Sequence, residues 1–295
     1  MVNTAYDRET GAVMEIEKAS EMGFCFGVRR AIDLVERAAR EKGPLQTLGA
    51  LVHNRQVVNR LASCGVSVAA NLDEVQGRII AIASHGVGPG VMEQVQGRGL
   101  EVVDATCPFV RKAQVAARKM GEAGFRVLVY GDAAHPEVRG VLEYAGENAS
   151  ASLDVPDLDK LPSRLGILCQ TTQNPRYFAD FLARIMTQGL SGVSELRICN
   201  TICDATSRHQ AAALELAERV DLIFVVGGKD SANTQRLARI CTDTGVDTFH
   251  IENAAEIEPA SLRGHLRIGI TAGASTPDEV IDEVMVALKE QVSRI

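Results

Sequence analysis

One junction recurs three times along the chain and limits its folds more than any compositional total. Phe24-Cys25-Phe26-Gly27-Val28-Arg29-Arg30, Cys107-Pro108-Phe109-Val110-Arg111-Lys112 and Ile202-Cys203-Asp204-Ala205-Thr206-Ser207-Arg208 each set a cysteine four or five residues before an arginine, at the head of a helical pattern. The second and third share Asp-Ala-Thr, at 104–106 and 204–206, and the three cysteines stand 82 and 96 residues apart. That period is the size of a domain, well beyond the roughly 20–50 residues of solenoid repeats.

Two loop types accompany the junction. After each cysteine helix comes an apolar strand ending in glycine and a polar loop: Thr47 to Asn54, Val127 to Glu137 and Phe224 to Asn233. The first two carry a histidine four residues after the glycine (His53, His135), and the third carries Asn233 there, within one residue. The second loop type leads from a strand to a proline: His85 to Pro89, Thr171 to Pro175 and Gly273 to Pro277. A proline so placed suits the first turn of a helix, where its missing N–H costs nothing.

Near-continuous apolar runs alternating with helical patterns of ten to fifteen residues indicate parallel sheets covered by helices. In such sheets, ligands bind at the loops beyond the carboxyl ends of the strands. The expected fold is therefore α/β: three similar parallel-sheet domains in a pseudo-threefold arrangement, with their loops facing one cavity. The expected boundaries are a loose extension over 1–13 and α/β domains over 14–106, 107–200 and 201–295. A strand near 14–22 is available to pack on the third domain.

The net charge of −7 disfavours a nucleic-acid surface, so an anionic ligand has to be held by local geometry, not by a basic field. Seven cysteines is an odd number, in a chain too large to need disulfide staples. The first dozen residues lack an apolar core and include Asp7 and Glu9, and no apolar run approaches a membrane span. A cytoplasmic protein without a membrane partner is expected.

Cys25, Cys107 and Cys203 share one position in three repeats, at strand-to-helix junctions where a helix N-terminus favours thiolate. Zinc ribbons use close C-x-x-C pairs, and none occurs here. Three widely spaced thiolates instead suit an iron–sulfur cubane with one iron lacking a protein ligand. Cys64, Cys169, Cys199 and Cys241 read as core packing, with Cys199 a reserve ligand because it lies four residues before Cys203. His53, His85 and His135, with Thr171, Thr172, Ser231, Asn233 and Ser275, fall at the starts of helices, where unpaired N–H groups favour an anion. Singly, each Ser, Thr or Asn also fits a helix cap. Together they describe a phosphate or diphosphate cage that needs no lysine. Glu137, two residues after His135, would have a raised pKa in a dry cavity and could deliver protons. His209, His250 and His265 have no such placement and read as structural or surface groups.

Taken in order, Phe-Cys-Phe-Gly-Val-Arg-Arg, Val-His-Asn, Ser-His-Gly-Val, Asp-Ala-Thr-Cys-Pro, His-Pro-Glu-Val-x-Gly, Gln-Thr-Thr, Thr-Ile-Cys-x-Ala-Thr, Ser-x-Asn and Thr-Ala-Gly-Ala-Ser-x-Pro carry a resemblance. From about Glu15 onward the chain resembles the 4-hydroxy-3-methylbut-2-enyl diphosphate reductases, iron–sulfur enzymes of the methylerythritol phosphate route to isoprenoids. The resemblance implies a trefoil of three α/β domains around a [4Fe–4S] cluster held by Cys25, Cys107 and Cys203. It implies a substrate site of His53, His85, His135, Thr171, Ser231, Ala232, Asn233 and Ser275, with the histidines, Ser231, Asn233 and Ser275 on the diphosphate, Glu137 as proton source, and Thr171 positioning the substrate hydroxyl and the proton path. Ala232 stands where many members carry a second serine, which removes one hydroxyl contact. Arg208-His209-Gln210 also departs from the usual adjacent Arg and Gln.

The implied reaction is reductive dehydroxylation of the allylic diphosphate to isopentenyl and dimethylallyl diphosphate plus water. Its electrons would come from ferredoxin or flavodoxin, since Gly86-Val87-Gly88-Pro89-Gly90 lacks the G-x-G-x-x-G spacing of a nucleotide cofactor site. Two other readings are a dehydratase similar to quinolinate synthase, which performs no net reduction, and a metal-binding module without catalysis. The polar loop ring argues against the first and Glu137 against the second.

Overall fold

The computed structural model describes residues 3–6, 13–156, 161–188 and 191–293. In chain order, the first elements are β1 (Asn3–Tyr6), β2 (Val13–Lys18), α1 (Phe26–Lys42), β3 (Leu45–Leu48), α2 (Arg55–Ser63), β4 (Val66–Ala69), β5 (Ile79–Ile82), α3 (Pro89–Gly97) and β6 (Glu101–Asp104). Next are α4 (Pro108–Glu122), β7 (Arg126–Tyr130), α5 (Pro136–Ala145), β8 (Ala149–Ser152), β9 (Arg164–Cys169), α6 (Pro175–Thr187) and β10 (Glu195–Cys199). The last are α7 (Asp204–Ala217), β11 (Leu222–Val226), α8 (Ala232–Thr242), β12 (Asp247–Ile251), β13 (Arg267–Ala272) and α9 (Asp278–Val292).

These strands form three sheets with one repeated order. The first is β4-β3-β5-β6 and the second is β8-β7-β9-β10, both wholly parallel. The third repeats the order as β12-β11-β13-β2, its fourth place filled by the N-terminal strand β2, with β1 antiparallel at the edge. The fold is α/β with three sheets, as the repeats require. Part of the expected loose extension is thus strand β1; the rest of it, residues 1–2 and 7–12, lies outside the described residues.

The central strands are buried on both faces, which is why Ile79–Ile82 and Leu222–Val226 read as unbroken apolar runs. The chain divides into two compact units. One comprises Met1–Phe26, His53–Val57 and Asp204–Ile295, and the other Gly27–Val52 and Val58–Cys203.

In the first unit, Phe224, Ile268 and Ile270 pack against Val284 and Leu288 of α9. In the second, Val127 and Val129 pack under Ala117 and Met120 of α4 and Val138 and Val141 of α5. The opposite face of the same sheet covers Leu165 and Ile167 with Phe178, Phe181 and Ile185. Each such large side chain contributes about 1.5–3 kcal/mol on burial. Helix α4 lies close against α5 because Gly121 faces the Ala145 carbonyl, where any Cβ would collide.

The prolines behave as the sequence indicates at Pro89 and Pro175, which occupy first-turn positions, as do Pro108 and Pro136. Pro277 differs, since α9 begins one residue later and Pro277 takes the cap position. Among the described residues no helix is long and apolar enough to cross a membrane.

Candidate active site

The three junction cysteines occupy one structural position. Each follows the fourth strand of a sheet (β2, β6, β10) and directly precedes a helix (α1, α4, α7). Each also makes the same backbone bond. Cys25 N donates to Ala274 O at 3.1 Å, Cys107 N to Ser84 O at 2.9 Å and Cys203 N to Thr171 O at 3.0 Å. All three acceptors lie just past the third strand of their sheet (β13, β5, β9), so the cysteine loop is tied to the polar loop in every repeat. Parallel β-pairing delivers the chain there, since Ala105 N donates to Ile82 O before Cys107 is reached.

All three thiols are half-buried. Cys169 and Cys241 are buried, and burial pushes both thiols up, Cys241 to about 12, which keeps them neutral packing groups as expected. Cys199, half-buried at the end of β10, packs against the core under α4 and α5 as expected, whereas Cys64 is exposed after the end of α2, so the core expectation fails there. A short helix end is a poorly covered position.

In the second unit, Glu137 and Thr171 form the centre of the site. Glu137 is only 3% exposed, in the first turn of α5. Its Oε1 accepts from Thr171 N at 2.7 Å and its Oε2 from Thr171 Oγ1 at 2.8 Å. Burial pushes the carboxyl above the ordinary glutamate range, and the two bonds from Thr171 offset this only in part. The same Thr171 accepts the Cys203 N–H, so one residue joins the buried acid to a junction cysteine.

His135 caps α5 by accepting Glu137 N on Nδ1 at 3.2 Å, which leaves the proton of the neutral ring on Nε2. His85 is half-buried one residue beyond Ser84, and its loop is held against α5. Gln114, fully buried, donates from Nε2 to Val87 O at 3.2 Å, and Gly140 leaves room for the Val87-Gly88 backbone. Gly86 is required here: it has φ +71°, and a Cβ would stand 2.7 Å from Gln114 Nε2. Arg30 Nη1 reaches Thr106 O at 3.3 Å, tying the second turn of α1 to the residue before Cys107.

The first unit repeats this construction with other residues. Ser231 caps α8 by accepting Thr234 N, and Ser275 Oγ donates to Ser231 Oγ at 3.4 Å. Asn233 is buried, its Oδ1 accepts from Thr206 Oγ1 at 3.4 Å, and its Nδ2 has no partner among the described residues. The Gly228 backbone touches the His53 carbonyl so closely that any side chain there would collide, which sets His53 beside the Ser231 loop. Burial holds the His53 imidazole below its ordinary range, partly offset by Asp230, so the ring is neutral at pH 7. Ala232 begins α8, between Ser231 and Asn233.

The structural alignment differs from the sequence alignment. Ser231, not Asn233, holds the capping place of His135, and Asn233 holds that of Glu137, two residues into the helix. Only His135 of the three histidines caps a helix. Asn54 does so beside His53, accepting Val57 N at 3.1 Å, and Gly88 precedes α3 three residues after His85. Among the described residues no three of His, Cys, Asp and Glu converge as they would around one metal ion.

Of the three histidines without an expected role, His209 is buried, His250 Nε2 donates to Gly227 O at 2.9 Å, and His265 lies between Asp221 and Asp247. Sequence reading assigned no role to Gln170. This residue is 2% exposed, its Oε1 accepts from Asp132 N and Gln173 Nε2, and its Nε2 has no partner among the described residues. Its only sequence signal was adjacency to Thr171.

Residues 16–289 match the family model described as LytB protein. A 4-hydroxy-3-methylbut-2-enyl diphosphate reductase of Dehalococcoides mccartyi strain CBDB1 is 52% identical over 274 residues, covering 92% of this chain and 96% of the relative. A solved (E)-4-hydroxy-3-methyl-but-2-enyl diphosphate reductase, the terminal enzyme of the non-mevalonate pathway, is 38% identical with a TM-score of 0.66, covering 93% of this chain and 99% of that one. A reductase structure from Plasmodium falciparum is 26% identical with a TM-score of 0.86, covering 92% and 87%. With its three equivalent cysteine junctions and the buried Glu137–Thr171 pair, the chain belongs to the LytB family.

Proposed function

We propose that this chain is an oxidoreductase of isoprenoid biosynthesis. It reduces (E)-4-hydroxy-3-methylbut-2-enyl diphosphate to isopentenyl and dimethylallyl diphosphate plus water, consuming two electrons and two protons. The observation that carries the chemistry is the Glu137–Thr171–Cys203 chain of bonds. A carboxyl pushed up by burial keeps its proton to higher pH than an exposed glutamate, and Thr171 Oγ1 at 2.8 Å can pass that proton on because a hydroxyl both donates and accepts.

The donor set fits an iron–sulfur cubane. Three half-buried thiols, each at a helix N-terminus and each with its N–H already bonded to the neighbouring loop, suit thiolate ligation of three different irons. Cys25, Cys107 and Cys203 would hold a [4Fe–4S] cluster. When bound, such a cluster supplies single low-potential electrons and one Lewis-acidic iron without a thiolate.

The chain's own groups do the rest. His53, His85 and His135 with Ser231, Asn233 and Ser275 bind the diphosphate through their hydrogen-bond donors. The unpartnered Nδ2 of buried Asn233 supports this, because a donor so buried requires an acceptor. Ala232 offers only its backbone. Thr171 orients the substrate hydroxyl, and Glu137 releases the proton that leaves with it as water. Proton delivery to either end of the allylic fragment gives the two products. Ferredoxin or flavodoxin supplies the electrons.

The test is an anaerobic preparation assayed with reduced methyl viologen. Consumption of the allylic diphosphate with two viologen electrons per product is expected. Diphosphate binding without reductant consumption would refute the reductase reading.

A further inference from the structure

The net charge of the chain is −7, yet helix α4 carries Arg111, Lys112, Arg118 and Lys119 against Glu122 alone. No acid stands in its first turn, although the dipole there disfavours cations. Arg111 is accounted for by its ion pair with Asp104, and Arg118 by its i,i+4 pair with Glu122. Lys112 and Lys119 are exposed and make no ion pair among the described residues.

At about 100° per residue, Val110, Ala113, Gln114, Ala117 and Met120 form the buried side of α4. A separate sector about 120° wide holds Pro108, Phe109, Lys112, Val115, Ala116 and Lys119. That sector is apolar and basic, contains no acid and includes Phe109 at 37% exposure. It starts at the cap residue of the helix, Cys107.

We propose that this face of α4 is the docking surface for an acidic, low-potential electron-carrier protein, with electrons entering at Cys107. The inference rests on the reductase reading above. Unpaired lysines at the middle of this sector, flanked by apolar side chains such as Phe109, suit an electron-transfer contact, which is small and transient and is steered by complementary charge. The carrier's acidic surface would supply the partners that Lys112 and Lys119 lack.

The test compares two donors on the cluster-loaded enzyme. Wild type and the Lys112→Glu/Lys119→Glu variant are assayed with methyl viologen and with a photoreduced acidic [2Fe–2S] ferredoxin. The viologen rate is expected to be equal in both, which also shows that the variant folds and holds its cluster. The kcat/KM for ferredoxin is expected to fall about tenfold or more, with a flatter dependence on ionic strength, as loss of steering charges predicts. A Phe109→Ala variant is expected to lose ferredoxin-driven rate without changing the salt dependence. Equal ferredoxin-driven rates in wild type and the double variant would overturn the docking surface while leaving the reductase reading intact. No viologen-driven turnover in wild type would overturn that reading, and this inference with it.

Discussion

Glu137→Gln separates the proton-donor role of this residue from its structural role. Glu137 is 3% exposed and accepts both the N–H and the hydroxyl of Thr171, at 2.7 and 2.8 Å. Glutamine preserves that geometry: Oε1 still accepts from Thr171 N, and Nε2 can donate to Thr171 Oγ1. The buried Thr171 hydroxyl hydrogen then loses the acceptor it has in Glu137, so the variant should be less stable by about 1–3 kcal/mol. Loss of the acid should cost about 10²–10⁴ in turnover, or about 3–5 kcal/mol of activation free energy.

The sign of the pH dependence follows from the raised carboxyl. The folded state holds this proton more tightly than the unfolded chain. Its stabilisation is therefore complete below the unfolded value of about 4.3 and is lost as pH rises through the folded value. Wild-type turnover should fall over the upper part of that window, and the Gln variant should lack this limb. Its melting temperature relative to wild type should rise with pH. The assay follows oxidation of reduced viologen with the allylic diphosphate, after iron and sulfide contents have been matched. Turnover of the variant within about twofold of wild type, with the cluster intact, would remove Glu137 from the proton path.

Cys203→Ser should abolish the iron–sulfur visible absorption and the bound iron and sulfide, whereas Cys64→Ser, at an exposed cysteine, should leave both unchanged. An intact cluster in Cys203→Ser would shift the ligand role to Cys199. Gly86→Ala puts a Cβ 2.7 Å from Gln114 Nε2 at φ +71° and should cost about 1–3 kcal/mol, read as a lower melting temperature. An unchanged melting point would show that the His85 loop can shift freely. Asn233→Ala should raise KM about tenfold with less effect on kcat, because it removes a binding donor remote from the proton path. A pure kcat defect would contradict that assignment.

The sequence by itself determined the repeat and therefore much of the architecture. Periodicity and glycine or proline punctuation are local properties, so strand-to-helix junctions at Cys25, Cys107 and Cys203 and first-turn prolines at Pro89 and Pro175 were legible without coordinates. The Glu137 environment was legible as a pattern, His-Pro-Glu opening a helix, but its link to Thr171 was legible only through the family resemblance. Thr171 lies 34 residues away, and only the pairing of β7 with β9 brings the two together.

The same limit applies to Gln170, to the Gln114–Val87 bond and to the exchange of Ser231 for Asn233 at the capping place. Each depends on which helix turn begins first or which backbone approaches closely, and both are settled by packing. Exposure of Cys64 was likewise invisible to pattern, because a helix end reads the same whether covered or bare. A strand near 14–22 available to the third domain was legible in the sequence, and tertiary structure decided which strand it pairs with. Strand order is set by long-range hydrogen bonding between β2 and β13, more than 250 residues apart, and no local signal encodes it.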